Sequence, residues 1–324
     1  MAAWTWAPAC KARITKEVRV IGIVSDFRKA RDITRRKDFG SMADGARSRA
    51  DGDASGDVAR YFNSLDAAAY ADHYLHKALD TSPSAYFFQR RRAIVMRYLQ
   101  SMDGGAILDV GCGPGIFAGP CVEQGFRYHG IDISNRMIDE GRRRFGNLER
   151  IEFTVGDAQQ LPLPSDSIDG LLCLGMLEYV SQEQEVLYLK EMARVVKPGG
   201  IAVFSFLNAR SPHWLLNDYA FPIVRSGLWH IKEALNKSKL VAVRDFSAKA
   251  FSTRKFRSGE RMALLRATGL SLVGITYFSA NVLPPHVDSL VPRQSVWAAA
   301  KLEPLLAKPS LSWMGQGFVV VVRK

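Results

Sequence analysis

The stretch AILDVGCGPGIFAG, Ala106 to Gly119, sets Gly111, Gly113, Gly115 and Gly119 directly behind an apolar run. A strand that enters a helix through glycines brings bare backbone N–H groups up to a ligand with no Cβ between them. Such a turn needs a strand before it and a helix after it, which commits this part of the chain to an α/β unit. The neighbouring sequence agrees. RYHGIDI, IEFTVGD, IDGLLCLGML and GIAVFSF follow as short, mostly apolar runs, alternating with segments of helical period such as QEVLYLKEMARVV. That alternation predicts a parallel sheet covered by helices on both faces. Two further strand-like runs come late, LSLVGITYF (Leu270 to Phe278) and GFVVVVRK (Gly317 to Lys324).

The glycine spacing separates classes of ligand. A dinucleotide turn of the form GxGxxG needs a third glycine where this chain has Ile116, so a nicotinamide-dependent oxidoreductase is the weakest reading. Asp132 lies 21 residues beyond Gly111, at the end of the second strand. There a carboxylate can accept both hydroxyls of a ribose. Asp157 follows the third strand, where it can accept the exocyclic amine of an adenine while the Ala158 N–H faces a ring nitrogen. Pro120 leaves two options for the helix after the turn: it starts at Pro120, or it is distorted there.

The flanks read differently. Residues 1–57 are expected to form a disordered extension, because SMADGARSRADGDASGD is too poor in apolar side chains to order itself; Met42 offers an alternative start. Residues 58–100 are expected to be a helical cover, with one amphipathic helix from Val58 to about Leu79 and a second capped by Ser82 with Pro83 in its first turn. Residues 101–324 form the main domain, with a lid-like insertion at about 209–246 beyond the end of the fifth strand, where open α/β sheets bind ligands.

The chain's net charge of +12 is unevenly placed, with −6 in residues 101–208 and +11 in 209–324. Basic residues there alternate with apolar runs such as WLLNDYAFPIV, which suits a greasy or anionic metabolite, or an anionic membrane surface, better than it suits nucleic acid. No stretch reaches the roughly 18 apolar residues of a spanning helix and the N-terminus has no signal-peptide pattern, so a cytoplasmic protein, in peripheral contact with a membrane at most, is expected. Cys10, Cys112, Cys121 and Cys173 have neither CxxC spacing nor histidine partners, so no disulfide framework and no metal site are expected.

Through LDVGCGPG, GIDISNRMI, GDAQQLPLPSDSIDGLLCLGMLEYV and ARVVKPGG the chain resembles the class I S-adenosylmethionine-dependent methyltransferases, especially the quinone-biosynthesis-like small-molecule enzymes. The resemblance is close from about Ala106 to Asn208 and looser in the flanks. It implies a Rossmann-like seven-stranded sheet, mostly parallel with an antiparallel last strand, and S-adenosyl-L-methionine as cofactor. By the same resemblance Gly111, Gly113 and Gly115 approach the methionine part, and Asp109 orders the loop and meets the amino group. Asp132, followed by Ile133, holds the ribose. Met137 packs on adenine, Asp157 and Ala158 read its edge, and Leu174 and Gly175 lie beneath the sulfonium.

On the acceptor side the candidates are Tyr86, Glu178, Tyr179 and His213, with Tyr61, Tyr70, Tyr74 and Tyr86 as aromatics that could close the site. Similar enzymes often carry His where Tyr179 stands, so no side chain is assigned a catalytic role. Arg90, Arg91 and Arg92 are consecutive and cannot share a helix face, so one or two at most reach inward. His73, His76, His129, His230 and His286 are expected at the surface. The absence of an N/D-P-P-Y/F tetrad after the fourth strand argues against DNA adenine methylation. The expected function is methyl transfer to a small, hydrophobic or lipid-like intermediate by a monomer or weak dimer. The alternatives are an RNA methyltransferase using the basic C-terminal third, and a non-catalytic binding module of the same fold.

Overall fold

The computed structural model describes residues 54–75, 82–220, 253–283, 288 and 290–324. Most of the expected N-terminal extension, His76, His230, His286 and the larger part of the expected lid lie outside the described residues.

Seven strands form one sheet: β1 (Gly105–Val110), β2 (Phe126–Asp132), β3 (Ile151–Val155), β4 (Ile168–Leu174), β5 (Val196–Leu207), β6 (Ser271–Phe278) and β7 (Gly317–Arg323). Their order is β3-β2-β1-β4-β5-β7-β6. The first five run parallel, and β7 runs antiparallel to both β5 and β6. Each strand falls on a run anticipated from the sequence, and the last is antiparallel as expected. The order reverses at β1, which pairs with β2 on one side and β4 on the other. A crevice opens at such a switch point beyond the carboxyl ends of the strands, and the glycine turn leaves β1 there.

The helices are α1 (Ala54–Ser64), α2 (Ala67–Leu75), α3 (Pro83–Leu99), α4 (Ala118–Glu123), α5 (Asn135–Phe145), α6 (Gln182–Val195), the short α7 (Pro212–Leu215), α8 (Ser258–Ala267) and α9 (Pro292–Leu302). None of the described helices is long and apolar enough to cross a membrane. The core runs through the sheet, with Leu108, Leu172, Phe204, Phe318 and Val320 fully buried.

Two expectations for the helices are corrected. The single helix expected from Val58 is two helices, and the first begins four residues earlier, at Ala54. The break comes at Asp66, whose Oδ1 accepts the Ala69 N–H at 3.0 Å and so caps a new helix start. Pro120 neither starts nor distorts α4. It stands in the first turn of a helix that begins at Ala118, where an N–H has no intrahelical acceptor and its loss costs nothing. α3 begins as anticipated, with the Ser82 hydroxyl accepting the Ala85 N–H at 3.3 Å and Pro83 in the first turn.

Among the described residues Cys112, Cys121 and Cys173 are buried and free. The helical cover is docked through polar contacts. Asn63 of α1 accepts from the Ser134 hydroxyl at 2.8 Å and from the Arg136 N–H at 3.2 Å. These two residues flank the start of α5, so the cover is tied to the end of the sheet where the ligand crevice lies.

Candidate functional site

A cavity of about 1140 Å³ lies beyond the carboxyl ends of β1, β2 and β4, roofed by α1, α2 and α3. Of the residues anticipated for the cofactor, it brings together Asp109, Gly111, Gly113, Asp132, Ile133, Met137, Asp157, Ala158, Leu174 and Gly175. Glu178 and Tyr179 line it as well. Its size exceeds the usual range for a single small-molecule site, leaving room for two ligands side by side.

The floor is shaped by backbone. Gly111 has φ +72°, and a Cβ there would stand 2.7 Å from the Cβ of Met176, so only glycine allows the turn to close against the loop after β4. Gly115 also has positive φ, but it does not line the cavity. Its missing Cβ leaves room for the Phe153 ring, which would be 2.5 Å away, and its N–H donates to the Cys112 carbonyl at 3.1 Å. The expectation that Gly115 approaches the cofactor is therefore corrected: this glycine packs the turn against β3.

Asp132 accepts the Gly113 N–H at 2.8 Å on one oxygen and the Ser134 N–H at 2.9 Å on the other. Each carboxylate oxygen keeps a further lone pair, enough for one hydroxyl apiece. Burial raises its pKa, and the backbone N–H bonds pull the other way. Asp157 accepts the Gln159 N–H at 2.9 Å and lines the cavity beside Tyr188.

Asp109 is buried and accepts the Tyr128 hydroxyl at 2.7 Å. Burial pushes its carboxyl up to about 7, against the pull of that hydrogen bond. Between the ordinary carboxylate range and that value the folded protein holds a proton which the unfolded chain has released, so Asp109 makes stability fall as pH rises from about 4 to about 7. Asp109→Asn removes that contribution while keeping an acceptor for Tyr128. Its expected effect, read by urea unfolding at several pH values, is a flatter profile across this window and an unfolding free energy higher by about 2–4 kcal/mol at pH 8. A profile parallel to that of the unsubstituted protein would show that Asp109 is ionised throughout.

Two acceptor-side expectations are corrected. Tyr86 is buried away from the cavity against Val296 and Ala299 of α9, its hydroxyl 3.4 Å from Glu303. His213 does not line the cavity either; its Nδ1–H donates to the Leu283 carbonyl, and Asp288 lies 3.7 Å away. The next residue, Trp214, reaches the cavity instead. Of the other tyrosines, Tyr70 and Tyr74 line it, with their hydroxyls 2.8 Å apart, and Tyr61 does not.

His73, expected at the surface, also lines the cavity, 3.0 Å from the Ser84 hydroxyl. His129, from the same expectation, is half-buried with its ring 2.9 Å from Thr154. Sequence reasoning did not single out Phe62, Phe88, Trp214 or Gln316 as lining, and it left open which of three consecutive arginines turns inward. Arg91 does. Among the described residues no cluster of His, Cys, Asp and Glu could hold a metal ion.

Residues 107–200 match the profile of a methyltransferase domain. The chain is 31% identical over 156 residues to an uncharacterized 37.1 kDa protein in transposon TN4556 of Streptomyces fradiae, a match covering 46% of this chain and 43% of the relative. It is 30% identical over 159 residues to a ubiquinone biosynthesis O-methyltransferase of Yersinia pestis, covering 45% and 64%. It thus spans less than two thirds of the length of either relative.

Among solved structures it resembles a magnesium protoporphyrin IX methyltransferase of Synechocystis with bound SAH, at TM-score 0.53 and 16% identity over 84% of this chain and all of that one. A cyclase is similarly placed, at TM-score 0.51 and 19% identity over 83% and 96%. At these identities the likeness speaks for the fold, and activity has to be argued from the site. With its glycine turn and its strand order, the chain thus holds, over residues 107–200, a segment that matches a methyltransferase domain.

Proposed function

We propose that this chain is an enzyme that transfers a methyl group from S-adenosyl-L-methionine to a small acceptor with an apolar body. The observation that carries this reading is the meeting of Asp109, Asp132 and Asp157 around the glycine turn in one cavity. Asp132 and Asp157, with the Asp109 carboxyl beside them, suit a ligand that offers ribose hydroxyls, an adenine amine and cationic centres better than they suit a pyrophosphate. The residues present fit the cofactor: Asp132 has a lone pair for each ribose hydroxyl, and the glycine turn leaves bare backbone beside it. Met137 and Ala158, both buried, offer apolar surface to an adenine. The cofactor supplies an activated methyl group on a good leaving group.

The chain's own residues then have to align an acceptor against that methyl and keep water away, and alignment alone can supply much of the rate. The roof does the second task with aromatic rings, Phe62 standing edge-on to both Tyr70 and Tyr179. Burial keeps the Tyr179 hydroxyl protonated at neutral pH, its pKa pushed well up. Glu178, buried beside Gly175, is the carboxylate placed to take a proton from an acceptor hydroxyl. Those rings favour a flat or greasy acceptor over a polynucleotide, which the walls of a deep cavity would exclude.

Asp132→Ala is expected to weaken binding of S-adenosylhomocysteine by about 1–3 kcal/mol, the worth of hydrogen bonds to a charged acceptor. Titration calorimetry reads this directly, and an unchanged dissociation constant would defeat the ribose assignment. Failure of the unsubstituted protein to bind either S-adenosylmethionine or S-adenosylhomocysteine would defeat the methyltransferase reading itself.

A further inference from the structure

Arg91 projects from α3 into the cavity with only 9% of its surface exposed. Its neighbour Arg90 is paired with Glu303 at 2.8 Å. Among the described residues Arg91 is in no ion pair of that kind, although its charge acts on the buried Asp109. Among the described residues its one hydrogen bond goes to the Ser205 hydroxyl at a long 3.4 Å, and its guanidinium carbon lies 5.2 Å from the centre of the Phe88 ring. A guanidinium has five N–H donors in one plane, and burying it without an anion is costly unless something else completes the pair. Among the described residues the other well-buried arginine, Arg261, is ion-paired with Glu185, and the contrast points to a ligand that would bring Arg91 its anion.

The position of Arg91 says which end of the cavity that ligand occupies. Its Nη1 would stand 2.8 Å from a Cβ on Gly175, and Ser205, its hydrogen-bond partner, belongs to β5. β5 is separated by β4 and β1 from β2, whose end carries Asp132. Glu178 flanks the same spot, with Oε2 3.5 Å from that Cβ position. A cation and a carboxylate therefore border one point over Gly175, Phe88 lies beside the guanidinium, and the rings of Tyr74 and Tyr179 line the same cavity. An acidic group will turn to Arg91 and away from Glu178, while a hydroxyl on the same molecule can face Glu178.

We infer that the methyl acceptor is a flat, ring-containing acid whose carboxylate seats on Arg91, so that Arg91 sets specificity for anionic acceptors. The inference rests on the methyltransferase reading and narrows its substrate class. A carboxylate could also come from the methionine end of the cofactor, and the test separates the two sources.

The experiment is calorimetry on the full chain in three arms. The first measures S-adenosylhomocysteine binding to the unsubstituted protein and to Arg91→Met and Arg91→Lys. The second, with S-adenosylhomocysteine saturating, titrates a panel of aryl and fused-ring carboxylates, each beside its neutral primary amide. The third repeats the second on the two variants. The expected result is a preference for acid over amide of at least about tenfold in the unsubstituted protein. Arg91→Met should abolish that preference and Arg91→Lys should keep part of it, with the S-adenosylhomocysteine dissociation constant changed less than about twofold in both. The inference is overturned if no acid in the panel binds better than its amide. It is also overturned if Arg91→Met weakens S-adenosylhomocysteine binding tenfold, which would give Arg91 to the methionine carboxylate. The panel on the unsubstituted protein decides the matter even if a variant fails to fold. Loss of S-adenosylhomocysteine binding by the unsubstituted protein would mark failure of the methyltransferase reading instead.

Discussion

Replacing Glu185 with alanine is expected to lower the free energy of unfolding by about 3–5 kcal/mol, the cost of leaving a buried cation without its anion. Glu185 lies on α6 with none of its surface exposed. One of its oxygens pairs with Arg261 of α8, and the other stands 3.0 Å from Arg254. Both guanidiniums also lie over the Phe256 ring, at 4.7 and 5.0 Å from its centre. Arg254 reaches the cavity wall as well: its side chain donates to the Val180 carbonyl at 2.7 Å and its backbone N–H to the Glu178 carbonyl at 2.9 Å. Loss of Glu185 should therefore loosen the loop that presents Glu178 and Tyr179, in addition to destabilising the core. Arg194→Ala is the control, because its pair with Glu191 is partly exposed and should be worth at most about 1 kcal/mol. Urea denaturation compares the two, and equal losses would mean that the Glu185 network is not held by its burial.

The second large effect is expected at Phe153. Its ring is the common packing surface of three glycines from three elements: a Cβ would come within 2.5 Å of it at Gly115, 3.0 Å at Gly130 and 2.8 Å at Gly141. Phe153→Ala should cost about 3–5 kcal/mol, as for other buried aromatics. Gly115→Ala should also cost several kcal/mol, since the new Cβ meets the ring and φ is +77°. A double-mutant cycle separates these terms: alanine at 115 should cost less once the ring is gone, the residual being backbone strain. Additive losses would show that the ring does not hold the turn. Because Gly111 and Gly113 belong to the same turn, S-adenosylhomocysteine affinity should fall along with stability in Gly115→Ala.

The sheet was readable from the sequence because strand runs of period two and intervening helices of period 3.6 are local patterns. So were Asp132 and Asp157, which sit at or just beyond the ends of strands, where side-chain position follows from chain position alone. What failed depended on distant partners. Gly115 was legible as a required glycine, but the reason for it, Phe153, comes 38 residues later. The rotation of α3 was hidden because the helix is buried on two sides: Tyr86 packs on α9 while Phe87, Phe88 and Arg91 turn to the cavity. Asp66 is the exception: its cap on the Ala69 N–H lies three residues away and was a local N-cap signal that the reading of one long helix passed over. His73 was misplaced because only the folded chain shows that α2 lies over the cavity.

The wall proposed to receive adenosine is drawn from between Asp109 and Gly175. The opposite wall is assembled from Phe62, Tyr70 and Tyr74 in the cover, Phe88 and Arg91 on α3, Trp214 beyond β5, and Asp288, Leu290 and Pro292. These two walls obey different rules of inheritance. A contiguous stretch drifts as a unit and stays recognisable, whereas scattered pieces can be exchanged one at a time without disturbing the other wall. The match over residues 107–200 therefore covers the wall proposed for the methyl donor, while much of the opposite wall lies outside it and has to be read from its own residues.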